Sequence, residues 1–199
     1  MKRAREEEEF DVIDIVIFLK ACKDGNMKEV QEFISRGIDV NLKNKLKMTA
    51  LHYAAENGHV DVAKVLIQNG ADMEAAAGKF FKWTALHRAA LFGHVDVAKV
   101  LIQNGADVNS VDKSNQNALD KAAWKGHVDI AKMLILNGAD VNAVDRDNQN
   151  ALHKAALNGH VDVAKLLIQN GANVKSASKS NVTALHEAAK KGHVDVAKV

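Results

Sequence analysis

The sequence predicts an all-α solenoid in which short helix-turn-helix units, joined by turn-rich loops, stack along one axis. Three observations carry that prediction. The heptapeptide GHVDVAK begins at Gly58, Gly93, Gly159 and Gly192, with the near copy GHVDIAK at Gly126, so the spacings are 35, 33, 33 and 33 residues. A second glycine follows 12 residues later at Gly70, Gly105, Gly138 and Gly171, and Gly25 and Gly37 repeat the interval, leaving Gly78 as the exception among 12 glycines. Between these markers apolar residues recur at helical spacing. A unit of this size cannot bury its own apolar face, so neighbouring units must cover one another.

The elements follow in chain order. Residues 1–15 form an acidic extension or cap, where Glu6 to Glu9 suit the start of a helix; a partner-binding acidic arm is the other reading. Residues 16–48 are a degenerate first unit. Its single Cys22 stands beside Ala21 where later units carry a second alanine, the place of a small core residue rather than a nucleophile. Four complete units occupy 49–83, 84–116, 117–149 and 150–182, the first of them two residues longer, and 183–199 is a shortened sixth.

Within a unit, TALHYAAENG gives one helix, with Thr49 as N-cap, Leu51, Ala54 and Ala55 on the packing face and Gly58 as the stop. HVDVAKVLIQNG gives a second, with Asp61 expected as its cap, Val62, Ala63, Leu66 and Ile67 as the apolar stripe and Lys64 and Gln68 outward. The remaining segment, ADVNSVDKSNQ in one copy, places Asn and Asp at turn positions.

This 33-residue unit closely resembles the ankyrin repeat, from about Val16 to Val199. Two departures stand out. The family's helix-starting proline is alanine in every copy, as at Ala50 and Ala85, and the chain has no proline. The usual turn glycine is replaced by Asn115, Asn148 and Asn181, which tolerate left-handed backbone, but by Lys47 and Lys82 earlier. The latter two turns are therefore expected to differ in shape. The resemblance implies a non-enzymatic module that binds another protein on its concave side.

Composition narrows the alternatives. With 27 Lys+Arg against 25 Asp+Glu, no global field holds nucleic acid or an anionic membrane. The longest apolar stretch, VIDIVIFL, is too short to span a bilayer. The acidic run after KRAR does not fit a signal peptide. A cytoplasmic monomer is expected, with the nucleus as the alternative compartment. All nine histidines are repeat positions. They suit hydrogen-bonding posts between units, and Asp120 replaces one of them, which an obligate metal set would hardly allow. No metal, cofactor or catalytic constellation is expected, since no triad, Walker loop or G-x-G-x-x-G occurs.

Function is then sought by subtraction. On each first helix three open positions at i, i+3 and i+4 share one face opposite the Leu-Ala-Ala packing face. They read Tyr53, Glu56, Asn57; Arg88, Leu91, Phe92; Lys121, Trp124, Lys125; Lys154, Leu157, Asn158; and Glu187, Lys190, Lys191. The preceding turns add Phe80, Phe81 and Trp83. The stretch GKFFKWTALHRAALFGH alone holds four of the chain's nine aromatic residues. The expected partner-binding set is Phe80, Phe81, Trp83, Arg88, Leu91, Phe92, Lys121, Trp124, Lys125, Lys154 and Leu157, an aromatic centre with basic rims. For Phe80 and Phe81 the competing reading is that the insertion tucks them against the next turn. A second function reading is a binder of a phosphorylated small molecule or nucleic acid, in which Trp83 and Trp124 stack bases and Arg88, Lys121, Lys125 and Lys154 meet phosphates. A third is an engineered repeat scaffold.

Overall fold

The computed structural model describes residues 10–78 and 80–199. The run Glu6 to Glu9 lies outside the described residues. Six helix pairs succeed one another: α1 (Val12–Asp24) with α2 (Met27–Ser35), α3 (Ala50–Asn57) with α4 (Val60–Gln68), α5 (Ala85–Phe92) with α6 (Val95–Gln103), α7 (Ala118–Lys125) with α8 (Val128–Leu136), α9 (Ala151–Asn158) with α10 (Val161–Gln169), and α11 (Ala184–Lys191) with α12 (Val194–Ala197). No strand of more than an isolated bridge occurs among the described residues. The helix α1 begins at Val12, ahead of the division drawn at residue 16.

The first helices start where their caps place them. Thr49, Thr84, Asn117, Asn150 and Thr183 occupy the N-cap positions, and each pairs reciprocally with the third helical residue. That residue is a histidine except in α7, where Asp120 Oδ2 accepts the Asn117 backbone N–H at 3.0 Å. Each of α3, α5, α7, α9 and α11 stops at a left-handed glycine. At Gly58, φ is 74°, and a Cβ there would lie 2.6 Å from the His94 ring, so backbone conformation and the neighbouring unit both exclude a side chain.

The second helices depart from expectation at their start. They begin one residue before the aspartate, at Val60 in the second unit, with His59 at the cap position and no side-chain cap bond. Asp61 falls in the first turn, where its charge faces the positive helix end. The turns at Lys47 and Lys82 depart as well: both residues adopt the left-handed conformation, φ 59° and 57°, the same as the asparagines at 57° to 61°. Tertiary pairing of the turn overrides the preference of lysine, since Lys47 N–H is tied to Asn44 and Trp83 is bridged to Ala77.

Packing follows side-chain size. The buried pairs Ala54–Ala55, Ala89–Ala90, Ala122–Ala123 and Ala155–Ala156 let successive first helices approach closely, while larger Val, Ile and Leu residues fill the space beneath the second helices. The first helices consequently pack more densely against one another than the second helices do. Cys22 is fully buried in this core, which pushes its thiol up to about 12 and keeps it protonated.

The histidines join the units in two directions. Backward, His59, His94, His127, His160 and His193 each bring Nε2 to a carbonyl near the end of the preceding first helix, at 2.8 to 3.2 Å. Forward, His52, His87 and His153 reach the carbonyls of Trp83, Gln116 and Val182 at 2.9, 2.9 and 3.1 Å. Their Nδ1 atoms accept from the cap backbone N–H, so Nε2 carries the proton and donates. Burial lowers the basicity of all three imidazoles, that of His52 to about 4, and keeps them neutral.

Candidate docking surface

The two extra residues of the second unit enlarge one hairpin. Ala77 and Trp83 exchange two backbone bonds, of 2.8 and 2.9 Å, and Gly78, at φ 85°, donates to Leu46 O at 2.8 Å. The hairpin projects Phe80 and Phe81, which are 70% and 56% exposed. Phe81 is not free of the scaffold, because its carbonyl accepts from Lys113 N–H at 2.8 Å and its ring lies 5.0 Å from that of Trp83. Phe92, at the end of α5, and Trp124, in the last turn of α7, are 46% and 44% exposed. Lys125 places its ammonium 5.0 Å from the Trp124 ring.

The remaining members of the expected set fall elsewhere. Leu91 and Lys121 are buried, and Trp83, Arg88, Lys154 and Leu157 are half-buried. The shared face expected of all three open positions thus splits: Phe92, Trp124 and Lys125 face solvent, while the first positions of α5, α7 and α9 lean on the hairpin that precedes their helix. Arg88 pairs with Glu56 of the preceding unit. Its guanidinium and the Lys121 ammonium flank the Trp83 ring at 5.6 and 5.0 Å. The Trp83 indole N–H donates to Asp112 Oδ2 at 2.9 Å, and Lys121 reaches the same oxygen at 2.7 Å and Gln116 Oε1 at 2.6 Å.

One unit on, the arrangement recurs. Gln116 replaces the indole as donor to Asp145 Oδ2 at 3.1 Å, and Lys154 reaches that oxygen at 2.6 Å and Gln149 Oε1 at 2.7 Å. Burial pushes both carboxyls up. The Lys121 bond and the Gln116 and Ser114 N–H groups outweigh it at Asp112, as do Lys154, the Gln149 N–H and Gln116 at Asp145, so both stay below the usual range. The basic rims are therefore largely neutralised, because the cations that subtraction left over serve acids it did not count. Sequence reasoning missed Asp112 and Asp145. A signal existed: both stand nine residues before their lysine, at the same place in consecutive units.

No group of three or more His, Cys, Asp or Glu residues able to hold a metal ion occurs among the described residues, and no described helix is long and apolar enough to cross a membrane. Such an arrangement offers contact area and hydrogen bonds along a stack of helix pairs, which defines a helical repeat scaffold. The sequence pattern described as "Ankyrin repeats (3 copies)" matches residues 13–77, 74–145 and 119–199, and the chain belongs to the ankyrin repeat family. Members of this family are generally non-enzymatic protein–protein interaction modules. Among curated relatives, alpha-latrocrustotoxin-Lt1a of Latrodectus tredecimguttatus is 53% identical over 45 residues, 23% of this chain and 3% of the toxin. Ankyrin repeat domain-containing protein 40 of Mus musculus is 39% identical over 56 residues, 28% of this chain and 15% of that protein. Ankyrin repeat domain-containing protein 49 of Bos taurus is 42% identical over 60 residues, 30% of this chain and 25% of its own length. The chain spans a quarter or less of each of these three relatives.

Proposed function

We propose that the first-helix side of this solenoid docks a protein partner through Phe80, Phe81, Phe92 and Trp124, with Lys125 and Leu157 beside them. The observation that carries this reading is the exposure of four aromatic residues on consecutive units, at positions the repeat does not need for stacking. Trp83, Arg88, Lys121 and Lys154 support the surface from beneath, and Leu91 belongs to the core. A phosphate-bearing ligand is the weaker reading, since Arg88, Lys121 and Lys154 are already paired with Glu56, Asp112 and Asp145. Such a ligand would have to displace those carboxylates.

The test compares capture of protein partners from cell extract by the native chain and by the double variant Phe92→Ala, Trp124→Ala. The specific partner is expected to be lost with the variant, by about 2 kcal/mol or more of affinity, and its capture to depend only weakly on salt. Equal capture by both forms, or a steep fall with salt of the kind that phosphate contacts give, overturns the reading.

A further inference from the structure

Asp120 stands where the second, third and fifth units carry a forward-reaching histidine. Those imidazoles reach the carbonyl just before the cap of the following first helix at 2.9 to 3.1 Å, whereas a carboxyl group is shorter and cannot take the same place. Asp120 is 3% exposed. Its Oδ2 is occupied by the Asn117 N–H, and its buried Oδ1 has no hydrogen-bond partner among the described residues. Beside it opens a cleft of about 190 Å³ lined by Gln116, Asp120, Lys121, Trp124, Lys154 and Leu157.

The lining specifies an occupant. An unpaired buried acceptor calls for a donor. The Lys121 and Lys154 ammonium groups are already bonded to Asp112 and Asp145, and Lys125 lies over the Trp124 ring, so an ionised Asp120 is left without a cation of its own among the described residues. Trp124 and Leu157 supply an apolar wall that suits a flat, weakly hydrated cation. A guanidinium meets all three demands, while an ammonium is compact and strongly hydrated and a tyrosine hydroxyl is uncharged. We propose that this cleft receives an arginine side chain of the docked protein, its guanidinium stacked on Trp124 and donating an N–H to Asp120 Oδ1. This rests on the docking reading above and names the residue that the partner brings.

Burial pushes the Asp120 carboxyl up to about 7, so a guanidinium, which favours the ionised form, binds more tightly as pH rises through neutrality. The experiment is an NMR titration of the full chain with Nα-acetyl-arginine methylamide, following the indole N–H signals of Trp124 and Trp83, with the corresponding lysine amide as comparison. A saturable shift centred on Trp124 is expected. It strengthens between about pH 6 and pH 8, weakens at least about tenfold in Asp120→Asn, and disappears in Asp120→His, whose imidazole restores the post and fills the cleft. Overall amide spectra report that both variants fold. Unchanged affinity in Asp120→Asn overturns the proposal; that result is expected if Asn150 Nδ2, another buried atom without a partner, satisfies Oδ1 from the next cap. Equal affinity for the lysine amide, or no shift, also overturns it. Each of these outcomes leaves the docking reading standing, because that reading depends on capture through Phe92 and Trp124.

Discussion

Trp83 and Trp124 are the chain's two tryptophans, on consecutive parts of the same face, and they do opposite things. Trp83 is held by a bond to Asp112, flanked by two cations and backed by Phe81. Trp124 is 44% exposed, and among the described residues only the flexible Lys125 ammonium lies over its ring. Both are surplus to the repeat pattern, so surplus alone does not mean available. What separates them is whether the next unit supplies a partner: Asp112 is there for the first, and the cleft beside Asp120 opens next to the second.

The largest expected effect breaks the two apart directly. Trp83→Ala should cost about 2 to 4 kcal/mol in urea unfolding, from lost packing and a lost buried hydrogen bond, whereas Trp124→Ala should stay within about 0.5 kcal/mol. Equal losses would erase the distinction. The lysines beside the two rings sharpen it. Lys121→Met removes one partner of a buried pair and should cost about 2 to 3 kcal/mol, softened by the indole and backbone donors that Asp112 keeps. Lys125→Met on the exposed ring should change stability by less than about 0.5 kcal/mol. Thermal and denaturant unfolding of both variants decides the matter.

The smaller effect concerns the joint beneath Trp124. Asp120 titrates at about 7 in the fold against an ordinary 3.8, so the folded chain holds a proton that the unfolded chain has released. Its contribution to stability therefore falls as pH rises from about 4 to about 7. His52 does the reverse: depressed from 6.5 to about 4, it supports the fold fully above 6.5 and withdraws that support as pH falls toward 4. In the native chain the two trends oppose each other across one window. Asp120→His should raise stability near neutral pH by about 1 to 2 kcal/mol through the restored post. It should also leave a plain decline toward acid. A variant whose stability profile still rises on acidification would show that Asp120 is not the source of the trend.

Much of the fold was legible because its causes are local and repeated. The caps at Thr49 and Asn117, the left-handed glycines and the Leu-Ala-Ala stripe each act within a few residues, and the period multiplies them. The site was less legible because exposure is decided between units. Nothing local to Lys121 says that Asp112 will neutralise it, and nothing local to Leu91 buries it; both depend on how far the adjoining helices and hairpins overhang. Lys47 and Lys82 failed as a guide for a related reason. Their intrinsic preference opposes the turn, and the bonds of the surrounding hairpin decide the outcome.

The two-way histidine bonds carry a mechanical consequence. Where both directions are present, as in the bonds of His87 to Gln116 and of His127 to Leu91, parting α5 from the α7–α8 pair that follows must stretch both bonds at once. Between the fourth and fifth units the forward histidine bond is missing, and the joint keeps the backward bond of His160 to Trp124 together with the bonds of Asn142 to Gly171, Asn148 to Ala177 and Lys154 to Asp145. Stretched end to end, the solenoid shares the load there among one post fewer than at the joint before it.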